Sequence, residues 1–154
     1  MLEKRIRKNA RINKIFTKND KILVTDDLNE YIINGIIKDL PVTIYKQKKV
    51  DEKFIKKNKI NKIATKWTMD DEAINTLKEF ITAKKTKENK KTTKLLVVAS
   101  DKELERYAKI HEIKFEPNKK DKKYNKTIQH MQQKYSDTKE KLYQSKKTLE
   151  KIGV

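Results

Sequence analysis

Three groups of carboxylates stand where this chain changes from an apolar run to a helical pattern. "ILVTDDLNEYI" sets Asp26 and Asp27 directly after one apolar run, and "LLVVASDKEL" sets Asp101 directly after the most apolar run of all. Between them, "TMDDEAINTL" places Asp70, Asp71 and Glu72 at the head of a helix-like segment. Carboxylates brought within a few ångströms of one another repel, and a hard divalent cation such as Mg²⁺ or Mn²⁺ relieves that repulsion with oxygen ligands. One reading of these residues is therefore a metal ion held at one edge of a sheet. The same residues have a second reading. Aspartate at a helix N-terminus complements the dipole and the unpaired N–H groups, and "SDKE" at Ser100–Glu103 has the spacing of a capping box, with "TMDD" at Thr68–Asp71 close to it.

These residues are useful only if the fold gathers them. Lys21–Thr25, Val42–Tyr45 and Ile60–Thr65 read as short strands, Leu95–Ala99 as a central strand buried on both faces, and Ile113–Phe115 as a further short strand. Residues 2–16, Leu28–Leu40, Val50–Asn58, Met69–Ala83 and Asp101 to about His111 read as helices. "IINGII" is also a hairpin signal, but its apolar residues pair at i,i+4 rather than alternate, so Gly35 is placed inside a helix. Pro41 marks the end of that helix. The alternation predicts an α/β domain with a small, mostly parallel sheet flanked by helices, Rossmann-like in layout. In such sheets ligands bind beyond the carboxyl ends of the strands, where the three acidic groups would converge. The expected organisation is a basic amphipathic arm at 1–20, an α/β domain at 21–116, and a basic helical tail at 117–154 of one or two helices.

The net charge of +18 is placed unevenly. Residues 1–21 hold 8 basic and 2 acidic side chains, residues 82–94 hold 6 and 1, and residues 117–154 hold 11 and 4, whereas the rest is balanced at 15 each. A neutral body with basic arms is the electrostatic footprint of a nucleic-acid binder. Only four of the 40 basic residues are arginine, and lysine without arginine's bidentate fork suits backbone contact better than base reading. An AT-rich coding bias is the competing explanation for the lysine. The absence of cysteine removes disulfides and thiolate zinc sites, and His111 and His130 are too few for a histidine metal site. No apolar run approaches the roughly 18 residues of a membrane span, and the N-terminus lacks a signal-peptide apolar region, so no membrane association and a cytoplasmic location are expected.

"KILVTDDLNEYI", "MDDEAINTL" and "LLVVASDKELERYAK" resemble, in order and spacing, the acidic motifs of PIN-like nucleases, over about residues 21–115. The resemblance implies a PIN-like fold and a metal-dependent endoribonuclease. Its Mg²⁺ or Mn²⁺ would sit on Asp27, Asp71 and Asp101, with Asp26, Asp70 and Glu72 as fallbacks and Asn29 completing the first motif. It also implies RNA in preference to DNA as substrate. Lys66, Lys84, Lys85, Lys102, Lys119, Lys120, Arg5 and Arg7 would contact the nucleic acid, and Trp67 and Tyr107 are candidates for stacking on a base, with ordinary packing as the alternative. The chain departs from the family pattern between its first two motifs, where Asp51 and Glu52 are poor matches for a further acid. The first motif also resembles the start of a receiver domain, but "INKIATKW" puts Lys66 and Trp67 where that family needs a phosphoacceptor aspartate. The remaining alternative is a non-catalytic nucleic-acid-binding or ribonucleoprotein component whose acids are helix caps. Tyr135, Leu142 and Leu149 recur every seven residues, which suggests a protein partner for the tail.

Overall fold

The computed structural model describes residues 1–153. Four parallel strands form one sheet in the order β2-β1-β3-β4: β1 Lys21–Val24, β2 Thr43–Lys46, β3 Lys62–Ala64 and β4 Thr92–Thr93. The helices are α1 Leu2–Ile12, α2 Asp27–Ile36, α3 Glu52–Lys57, α4 Met69–Thr82, α5 Asp101–Ile110, α6 Lys122–Lys134 and α7 Thr138–Lys151. The fold is therefore α/β with an all-parallel sheet.

β1 is one of the two inner strands, and its alternation sorts the core into two layers. Ile22 and Val24 face a cluster with Ile6, Leu28, Ile33, Leu95, Leu96 and Leu104, drawn from α1, α2, α5 and the segment before α5. Leu23 points the other way, onto Ile55, Ile60 and Ile63 beneath α3. Burial on both faces is what parallel pairing requires, because crossover helices cover each side. A third cluster, Ala73, Ile74 and Ile128 with Leu77, Tyr124 and Leu142, packs both C-terminal helices against α4.

Three expectations are corrected. Leu95–Val98 is a 3₁₀ turn and not the central strand; the Ala99 N–H donates to the Leu96 carbonyl at 3.0 Å. A short, wholly apolar run carries no periodicity, so a buried strand and a buried helical turn read alike. The parallel pairing falls instead to Thr92 and Thr93, whose polar side chains suit an edge. Ile113–Phe115 forms no strand; the Ile113 N–H closes α5 by donating to the Ala108 carbonyl at 2.8 Å. Helix α1 stops at Ile12 because Lys14 turns left-handed at φ 46°, after which Ile15 and Phe16 fold back onto the core. Gly35 lies inside α2 as expected. No helix among the described residues is long and apolar enough to cross a membrane.

Candidate functional site: a lysine-filled carboxylate cluster

The N-termini of α4 and α5 meet, and hydrogen bonds between their caps hold them together. Thr68 caps α4: its backbone N–H donates to Asp71 Oδ2 at 3.0 Å, and its hydroxyl accepts from the Asp71 N–H. That hydroxyl donates its own proton across to Asp101 Oδ1 at 2.6 Å, while the Asp101 N–H donates to Asp70 Oδ2 at 2.7 Å. Ser100 and Glu103 complete a second capping box at α5. Both cap readings made from the sequence therefore hold, and they bring Asp70, Asp71 and Asp101 into one cluster.

Ammonium groups occupy the space between these acids. Lys120 Nζ lies 2.6 Å from Asp71 Oδ1 and 3.0 Å from Asp101 Oδ2. Lys139, on α7, is paired with Asp70. Asn118 donates to Asp71 Oδ2 at 3.1 Å and to the Lys66 carbonyl at 2.8 Å, which seats the Lys120 loop. One residue along α4, Glu72 accepts from Lys94 at 2.9 Å and Lys146 at 2.8 Å and is bonded to the Trp67 indole, while Lys94 also lies 4.9 Å from the Trp67 ring centre.

Burial makes these pairs consequential. Asp70, Asp71 and Glu72 are only 8, 6 and 3% exposed. Three adjacent buried carboxylates are untenable without countercharge, and removing one partner of such a pair is costly. Burial pushes the Lys120 pKa down, but hydrogen bonds and charge from Asp71 and Asp101 outweigh it and leave the ammonium above its ordinary value. Lys146 behaves alike through Glu72. Burial pushes Glu72 up, and its bonds to Lys146 and Lys94 outweigh that to hold it below the ordinary glutamate range.

Asp27 does not join this cluster. It is the first helical residue of α2, and Lys46 bridges it to Glu30 at 2.5 Å to each. Those two bonds push the exposed Lys46 ammonium well above its usual pKa. Asp26 caps α2, accepting from the Asn29 N–H and side-chain amide at 2.8 Å each. Asp26 and Asp27 line a separate cavity of about 510 Å³ beyond the ends of β1 and β2, with Lys46, Lys48, Lys66 and Lys114. Of the anticipated nucleic-acid contacts, Arg5, Arg7, Lys84, Lys85, Lys102 and Lys119 are exposed, Arg5 being paired with Glu103. Lys120 is an internal counter-ion. Lys139 and Lys146 escaped the sequence reading altogether. They flank Leu142 at i−3 and i+4, on the face of α7 that packs on α4, but lysine is too common here for that spacing to stand out.

The arrangement is that of a parallel α/β domain whose acids are neutralised from within. No protein-family model matches the chain, and no curated protein matches its sequence. Among solved structures it is similar to the U34-tRNA thiolase NcsA from Methanococcus maripaludis with its [4Fe-4S] cluster, at a TM-score of 0.69 and 13% identity, over 95% of this chain and 78% of that one. At that identity the likeness concerns the fold.

The expected metal-dependent nuclease is corrected by these findings. The fold is shared with a tRNA thiolase, and the space assigned to Mg²⁺ or Mn²⁺ holds lysine ammoniums. No group of three or more acids, histidines or cysteines among the described residues has the geometry to hold a metal ion. Nor does the neighbour's cofactor fit: iron–sulfur clusters are held by cysteine thiolates, and these 154 residues include no cysteine.

Proposed function

We propose that this chain is a tRNA-binding domain, built on the fold of a tRNA thiolase, that grips the RNA backbone electrostatically. The observation that carries the reading is the placement of the surplus charge on a fold shared with an enzyme of tRNA. After Lys120, Lys139 and Lys146 are spent on internal acids, exposed lysines remain within residues 84–91, at Lys119, Lys122, Lys123 and Lys126, and at Lys4 and Lys8 of α1. Lysine contacts to phosphate are sequence-independent and release counterions, so they suit a large folded RNA better than a short motif. With no cysteine in the chain, no thiolate is present to ligate an iron–sulfur cluster.

The test is fluorescence anisotropy of a labelled tRNA transcript with the purified chain, at salt from about 50 to 200 mM. Binding that weakens linearly on a log–log plot supports the reading, and loss of slope on replacing Lys84 and Lys85 with alanine locates part of the grip. No binding at the lowest salt sinks it.

A further inference from the structure

The four arginines of this lysine-dominated chain are not scattered. Arg5, Arg7 and Arg11 lie on α1 and Arg106 on α5, and these two helices are joined by the Arg5–Glu103 ion pair and by the Tyr107 hydroxyl donating to Glu3 at 2.6 Å. Coding bias toward lysine does not place every arginine on two neighbouring helices. Arginine differs from lysine in its planar fork and in stacking on rings, which are the properties used against nucleotides.

Beside them lies a pile of three aromatic rings. Tyr107 and His111 are 4.3 Å apart between ring centres, Tyr31 and His111 5.3 Å, and Tyr31 and Tyr107 6.4 Å. The pile is held from the side by a Tyr31 hydroxyl–His111 Nδ1 hydrogen bond of 3.1 Å. Tyr31 remains 44% exposed. It borders a groove of about 370 Å³ that Arg7 of α1 and Lys38, just after α2, also line, together with Glu3 and the Tyr107 bonded to it. Neither Arg7 nor Lys38 is ion-paired among the described residues.

Gly35 lies in the same groove wall. Glycine weakens a helix interior, yet here neither backbone nor packing calls for it. Its φ is not left-handed, and a Cβ built there meets nothing within 4 Å. What the missing side chain does is leave the groove open.

We infer that this groove is a binding site for one unpaired nucleotide of an RNA, the base stacking on Tyr31 and the adjoining phosphates meeting Arg7 and Lys38. A ring with an exposed face beside free cations is the combination that holds single-stranded nucleotides with little regard to sequence. The inference rests on the RNA-binding reading and makes it specific: the lysine arms hold paired backbone, and this groove takes a nucleotide that duplex RNA cannot offer.

The test uses the full chain and two RNAs, a hairpin with 2-aminopurine in an unpaired loop and a blunt duplex of equal length. Wild type is expected to bind the hairpin more tightly and quench the 2-aminopurine. Tyr31→Ala is expected to weaken hairpin binding about tenfold and abolish quenching, with duplex affinity within about twofold, whereas Tyr31→Phe keeps the ring and the binding. Gly35→Leu fills the groove with a better helix former, so it loses hairpin binding without losing thermal stability. Hairpin affinity and quenching unchanged in both Tyr31→Ala and Gly35→Leu overturn the groove and leave the lysine-arm reading standing. If wild type binds neither RNA, both readings fall.

Discussion

Lys120→Met removes the ammonium that sits between Asp71 and Asp101 and keeps most of the side chain's length. Asp71 is buried and loses its only cationic partner among the described residues, while Asp101 at 18% side-chain exposure regains some water. Breaking a buried pair from one side costs about 3–5 kcal/mol, and the partial exposure of Asp101 places this case near 3 kcal/mol. For a chain of this size that is a fall in Tm of about 6–12 °C. Urea unfolding followed by Trp67, the sole tryptophan and a neighbour of the same network, reads the change directly. Lys119→Met, one residue away and exposed, is the control and is expected to stay within about 0.5 kcal/mol of wild type. Because the folded-state pKa of Lys120 is raised, its contribution is fully present below the unfolded lysine value of about 10.4 and is lost only as pH rises through the folded value. The gap between variant and wild type is therefore full at neutral pH and closes in strong alkali. It also withstands added salt, unlike that of a surface pair. If Lys120→Met and Lys119→Met unfold alike, the buried network does not hold the tail and this reasoning is wrong.

Two further substitutions have defined outcomes, one in this network and one at the head of α2. Glu72 has a depressed pKa, so its stabilisation is present above the unfolded glutamate value of about 4.3 and is lost as pH falls through the folded value; Glu72→Gln is less stable than wild type at neutral pH, and the two converge on acidification in thermal melts. Asp26→Ala removes the α2 cap and costs about 1 kcal/mol, measured by urea titration, and a neutral result would place the acid outside the cap.

Much of the fold was legible in the sequence because it depends on local patterns. The Asn-Gly pair stayed helical because Ile32, Ile33 and Ile36 follow helical spacing, and Thr68–Asp71 and Ser100–Glu103 formed the capping boxes their spacing predicts. Leu95–Val98 was not legible, since buried in both states it had no polar residue to report which face met water. The candidate site was half legible. Asp70, Asp71 and Asp101 do converge, because two helix N-termini meet. The position of Asp27 after a strand says nothing of which neighbour lies closer, and Lys46 on the adjoining strand β2 holds it away from them. What filled the cluster was beyond local reading. Lys120, Lys139 and Lys146 come from a tail 19 or more residues further along the chain than Asp101, and among so many lysines only tertiary packing distinguishes these three.

The most direct test of the central claim, that ammonium groups and not a metal ion neutralise the acids of α4 and α5, is a two-dimensional amide NMR spectrum recorded as Mn²⁺ is added to one equivalent. The Asp101 amide, which donates to Asp70, lies within the cluster and reports an ion there through paramagnetic broadening. The account predicts that the amides of Asp70, Asp71 and Asp101 stay sharp. Selective loss of those signals at stoichiometric Mn²⁺, reversed by EDTA, would contradict it.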